Sequence, residues 1–243
     1  MVVPKADIIA RLQKEILPLQ GLTPLRKSAS LNAALGPLRD SFPNASFPLG
    51  AIHEFIAQGM ENAAASSGFI AALLSKMLKS RSILIWISAT RTLYPPALAA
   101  YGVSPERIIF IDVPKPKDVS AILEEALKCS GVGGVIAESP ELSFISSRRL
   151  QLAVEESGVT GFVLRVNPKQ LMPTACVTRW EITSLPSDIE EGLPGVGFAK
   201  WKVELLKVRN GRPDKWEVEW VNGQLRHTST GAIVTALPQR KTG

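Results

Sequence analysis

Cysteine and histidine are nearly missing from this chain: Cys129 and Cys176, His53 and His227, two of each in 243 residues. None of the four stands at ligand spacing from another, which argues against a Cys/His metal cluster, and two distant cysteines do not make a disulfide scaffold. His53 lies inside a strand-like run, where a histidine packs or pairs with a neighbour, and no nucleophile–base set emerges anywhere. Long apolar runs are also lacking: none approaches the roughly 20 residues of a membrane span. The N-terminal stretch MVVPKADIIARLQKEILPLQG is interrupted by Asp7 and Glu15, so it does not read as a secretory signal. There is no internal repeat. Charged residues are few at 21% against 45% apolar, a balance that excludes a disordered chain. A cytoplasmic globular protein without metal, cofactor or membrane contact is the expectation.

What is present is a rhythm. Ile8, Ile9, Leu12, Ile16 and Leu19 recur at helical spacing and predict a helix over 6–19, ended by Pro18. Residues 21–49 are rich in Pro, Ser, Gly and Asn and predict a wrapping segment with one short helix over 31–38. From residue 50, apolar strands alternate with helices: strands over 50–57, 83–88, 107–113, 133–138 and 160–166, helices over 63–78, 95–101, 117–129 and 142–157. Unalternating runs such as ILIWIS and IIFI fit strands buried on both faces, so the fold class is α/β, a mostly parallel sheet flanked by helices. After residue 175 the pattern changes. VTRWEITSL, KWKVELLKV and KWEVEWV read as strands of an added antiparallel C-terminal meander, with Asn210-Gly211 and Asn222-Gly223 as turn signals. The expected organisation is an N-terminal helix and wrapping segment over 1–49, an α/β core over 50–175, antiparallel strands joined to it over 176–226, and a basic tail over 227–243, with 190–197 as a flexible connection.

Charge is unevenly spread. From residue 199 onward nine Lys/Arg face four acids, which supplies five of the chain's six net positive charges and favours polyanionic partners. Lys200, Lys202, Lys207, Arg209 and Arg212, beside Trp201 and Trp216, are the candidate DNA or partner contacts, with the tryptophans either stacking on bases or filling the core. Arg148 and Arg149 form a second candidate contact pair on the 142–157 helix.

The stretch GMENAAASSGF (59–69) stands between the first strand and the first long helix, where a phosphate-binding loop belongs. Such a loop reads G-x-x-x-x-G-K-[ST]: glycines expose backbone N–H groups, the lysine meets phosphate charge and the hydroxyl holds magnesium. Laid on Gly59, the pattern retains that glycine and Ser66 but places Glu61 inside the loop, and Ala64 and Ala65 at its second Gly and Lys. On its own the stretch equally describes a Gly-led turn and a small-residue helix packed close to the sheet.

The order GAIHEFIAQGME, ILIWISATRTLYPPALAAYGVSPERIIFIDV, LEEALKCSGVGGVIAES and LSFISSRRLQLAVEESGVTGFVLR resembles a RecA-type core. With RWEITSLPS and WKVELLKVRNGRPDKWEVEW added, the chain more closely resembles the ImuA family of RecA-like proteins over about residues 6–226. Against RecA, the resemblance places Thr90 where a catalytic carboxylate is expected and Glu138 where a magnesium-side Asp is expected. It therefore implies a pseudo-ATPase without cofactor. It also implies an accessory role in damage-induced, error-prone translesion synthesis. The implied partner is an ImuB-type inactive Y-family polymerase homologue, with RecA, an error-prone DnaE-type polymerase and DNA as further candidates. An atypical DNA-dependent NTPase and a SulA-like division inhibitor are the alternative expectations.

Overall fold

The structure, a computed structural model, describes residues 28–78, 82–187 and 197–228. The helix expected over 6–19, the connection over 190–196 and the chain after residue 228 lie outside these.

Nine strands form one sheet in the order β3-β2-β4-β5-β1-β6-β7-β8-β9. They are β1 Ile52–Ala57, β2 Ile83–Ser88, β3 Ile108–Asp112, β4 Val132–Glu138, β5 Gly161–Val166, β6 Thr178–Leu185, β7 Lys200–Val208, β8 Asp214–Val221 and β9 Gln224–His227. β1 lies centrally and pairs in parallel with both β5 and β6, and the pairs β2–β3, β2–β4 and β4–β5 are also parallel. From β6 to β9 every pairing is antiparallel. β6 is thus the strand on which the parallel half becomes the meander. His227, expected in a loose tail, instead pairs with Val218 in β9, because the Asn222-Gly223 turn returns the chain onto β8.

Two apolar layers cover the sheet. On one face α2 (Gly59–Met77) and the 3-10 helix Pro95–Tyr101 pack on Phe55, Phe162, Trp180 and Trp201. On the other, α3 (Val119–Lys128) and α4 (Phe144–Ser157) pack on Ile52, Ile85, Val135 and Val163. Burying each such side chain stabilises by about 1.5–3 kcal/mol. The helix expected over 31–38 is α1 (Ala29–Ala34), capped by the Ser28 hydroxyl, followed by a 3-10 segment Gly36–Ser41. Pro37 has no N–H to continue the α pattern, which explains the change. This segment bridges the α2 face: Ser28 Oγ donates to Lys76 O, and Ser41 O accepts from Arg212 N. Among the described residues no helix is long and apolar enough to cross a membrane.

Within the first layer the aromatic rings form a chain. Phe55 stacks on Trp180, Phe69 meets Trp201 edge-on, and Tyr101 stacks on Trp201 with centroids 5.7 Å apart. Gly68 lets Tyr101 approach α2: a Cβ there would sit 2.8 Å from the phenol ring.

Candidate functional site

The junction of β1 and α2 is tighter than a phosphate loop allows. Only Gln58 separates the strand from the helix, and Gly59 already begins α2 with φ of 78°. A Cβ on Gly59 would meet nothing within 4 Å, so the turn's left-handed backbone, not space, asks for glycine. The Gly59 N–H donates to Asn167 Oδ1 at 2.8 Å, from the loop just after β5. One turn on, Asn62 Oδ1 accepts the Ser184 N–H and its Nδ2 donates to Gln58 O. The helix start is therefore tied to the ends of β5 and β6 by the chain's own amides.

The loop positions singled out in the sequence all lie on this helix. Glu61 is exposed in the first turn, where a carboxylate favours the helix dipole and repels an approaching phosphate. Ala64 is exposed, whereas Ala65 and Ser66 are buried against the sheet. The Ser66 hydroxyl is fully buried and has no hydrogen-bond partner.

At the other strand ends Glu138 is well ordered by neutral donors. Its Oε1 accepts from Trp86 Nε1 at 2.8 Å, and its Oε2 accepts from Ser88 Oγ at 2.9 Å and Thr92 Oγ1 at 3.4 Å. Ser88 Oγ in turn accepts the Thr90 and Arg91 N–H groups, which folds the 88–92 turn over the carboxylate. Thr90 contributes its backbone here, not a carboxylate. Beside this turn lies a pocket of about 290 Å³ with Trp86, Leu93, Pro95 and Phe110 as walls. Its rim carries Arg91 and Asp112, paired at 2.8 Å. Among the described residues no group of three or more His, Cys, Asp and Glu could hold a metal ion.

The third region escaped the sequence reading. Glu54, in the middle of β1, is completely buried and bonds Arg165 of β5 at 2.7 Å, Arg179 of β6 at 2.8 Å and Thr174 Oγ1 at 2.8 Å. Both guanidinium groups also hold loop carbonyls: Arg165 those of Pro140 and Gln170, Arg179 that of Met172. Lys207 Nζ donates to Thr174 O and Arg209 Nη2 to Ala175 O, while Ser147 Oγ on α4 accepts the Ala175 N–H. The short 167–177 loop is thereby pinned to the sheet and to α4. Burial holds the Lys207 ammonium below its usual range, and the neighbouring Arg179 and Arg209 charges push the same way. Burial lowers Arg209 as well, with Arg148 adding to the effect and Glu155 opposing it. The available signal was a charge inside each apolar strand run: Glu54 in IHEFIA, Arg165 in GFVLRV and Arg179 in TRWEITSL.

Of the seven basic candidates, the fold brings Arg148, Lys207 and Arg209 together around this loop. Arg149 pairs with Glu124 of α3 at 2.7 Å. Lys200 and Lys202 lie on the meander ladder opposite Glu219 and Glu217, and Lys202 also meets Glu204 at 2.8 Å. Arg212 is exposed in the β7–β8 turn. Trp201 and Trp216 are only 2% and 8% exposed, so the rings that stacking on bases would need are in the core.

Sheet order, helical layers and meander define an α/β protein in which a helix-flanked, mostly parallel sheet continues into an antiparallel extension. No family model matches the chain. It is 30% identical over 187 aligned positions to Protein ImuA of Caulobacter vibrioides, in strains NA1000/CB15N and ATCC 19089/CB 15, covering 72% of this chain and 77% of the relative. The chain belongs to the ImuA family.

Proposed function

We propose that this chain is a non-catalytic accessory protein of damage-induced, error-prone translesion DNA synthesis that scaffolds a mutagenic polymerase complex. Family membership supports the setting. Its partner in this reading is an ImuB-type inactive Y-family polymerase homologue, and RecA, an error-prone DnaE-type polymerase and DNA are further partners of the same assembly.

The observation that carries the non-catalytic part is the Gly59–Asn167 hydrogen bond. Phosphoryl transfer needs a clamped phosphate and an oriented nucleophile together. Here the amide that would face a phosphate already has a partner, Glu61 puts negative charge in the first turn, and the Ser66 hydroxyl is turned into the core. Thr90 offers no base beside Glu138. Calorimetric titration with ATP and magnesium is expected to give no binding heat, and ATP turnover is expected to be absent with or without DNA. Micromolar ATP binding would overturn the non-catalytic reading, and the lack of a complex with the purified ImuB-type partner would overturn the scaffolding one.

A further inference from the structure

The loop over 170–175 and the first half of α4 form one surface. The Ala175 N–H on Ser147 Oγ joins them directly, and Arg165, which holds Pro140 O and Gln170 O at once, ties the loop to the segment that leads into α4. This surface exposes more large apolar side chain than any solvated face needs. Ile145 is 75% exposed and Met172 55%, and Phe144 and Leu152 on α4 and Leu171 on the loop are exposed as well. Ile145 and Leu152 are seven residues apart on α4, so they stand about two helical turns apart in a single stripe.

The same surface is positively charged. Arg148, Lys207 and Arg209 stand beside Arg165 and Arg179; against them are Glu54, buried and bonded to two arginines, Glu155, which meets Arg148 at 3.9 Å, and the exposed Glu156 of α4. Lys207 and Arg209 rest on the Thr174 and Ala175 carbonyls, which fix their heads without cancelling their charge. Burial is the main cost to both cations, with Arg179 and Arg209 adding to it at Lys207 against Cys176 and Glu54, and Arg148 adding to it at Arg209 against Glu155, so an anion placed over them would offset that cost.

We propose that this face is where the chain docks its protein partner, and that the occupant is an acidic amphipathic helix lying along α4. Its aliphatic side chains cover Ile145, Leu152 and Met172, and its carboxylates meet Arg148, Lys207 and Arg209. The inference rests on the scaffolding reading above and supplies its surface. A helix on this face would use anchors at the same two-turn spacing that Ile145 and Leu152 present. A polynucleotide fits less well. Of the five exposed apolar residues only Phe144 is aromatic, and aliphatic side chains offer bases no stacking platform.

The test uses the full chain and the purified ImuB-type partner, with affinity measured by calorimetry for the wild type, Ile145→Asp, Arg148→Glu and the control Lys215→Glu on β8. Ile145→Asp leaves the fold intact, because the site is exposed and an acid in the first turn suits the helix dipole. The expected result is binding weakened at least about tenfold by Ile145→Asp and by Arg148→Glu, with a shallower salt dependence in the latter, while Lys215→Glu stays within about twofold. Wild-type binding that both α4 variants retain would overturn the surface and leave the scaffold reading standing. No complex with the wild type would overturn both. If the two variants bind partner normally but lose affinity for a single-stranded oligonucleotide, the face belongs to nucleic acid and the proposal fails.

Discussion

His53 sits in the middle of β1, fully buried, with its ring between Phe47 and Phe162. Its two nitrogens settle the tautomer. Pro48 O, 2.9 Å from Nε2, can only accept, so Nε2 carries the proton; Nδ1 then accepts from Thr178 Oγ1 at 2.8 Å, whose oxygen accepts from Trp180 Nε1. A second proton would have no place in this relay, and burial drives the His53 pKa from 6.5 down to about 3. The unfolded chain therefore binds a proton that the folded one refuses. Stability is complete above about pH 6.5 and is lost as pH falls towards about 3, at up to about 1.4 kcal/mol per pH unit. Urea midpoints measured from about pH 7 to about pH 4 are expected to fall steadily, and His53→Phe, though less stable at neutral pH, is expected to show a flatter profile over that range. The sequence announced that His53 was packed, because it interrupts an apolar strand. It did not announce the relay, since Thr178 and Pro48 reach it only through the fold. Ser66 is a similar case: its place in a magnesium-binding pattern was legible, its burial without a partner was not.

At the scale of elements, helices and strands emerged at close to their expected bounds because each is amphipathic or continuously apolar at its own period. The departures are the short helix before residue 50, which splits into α1 and a 3-10 segment, the 3-10 turn over Pro95–Tyr101, the added strand β9, and the start of α2, expected at residue 63 and found at Gly59. The turn is closed by Asn167, 108 residues away, and local sequence carries no trace of that bond. The 167–177 loop shows the same dependence. Its composition reads as a short connection, whereas Glu54, Arg165 and Arg179 make it a rigid shelf. Glu54→Gln keeps the shape but leaves Arg165 buried without a counter-charge, which is expected to cost about 3–5 kcal/mol by chemical denaturation. Hydrogen exchange over residues 170–175 is expected to rise in the same variant; an unchanged loop would mean that its carbonyl contacts hold it without Glu54.

Across the whole molecule, the meander is not an ornament on a finished core. β6 pairs directly with the central strand β1, and Trp180 and Trp201 pack into the aromatic chain with Phe55 and Phe69. A chain ending at Ala175 would expose one edge of β1 and leave Phe55 and Phe69 without the rings that cover them. It is expected to lose its near-UV circular dichroism and to be cleaved rapidly by protease, whereas a well-folded fragment would show that the parallel half is self-sufficient. Sequence by itself determined the α/β class, the strand and helix periods, the antiparallel ending and the family. These follow from residue spacing and turn chemistry, which act over a few positions. Only the tertiary structure decided that the GMENAAASSGF stretch is helix throughout and that the meander tryptophans are core. It also decided which cations share a surface, gathering Arg148, Lys207 and Arg209 while placing Lys200 and Lys202 opposite acids. Those outcomes depend on which distant strands become neighbours, and hydrogen bonds and charge pairs between them exist only once the sheet has assembled.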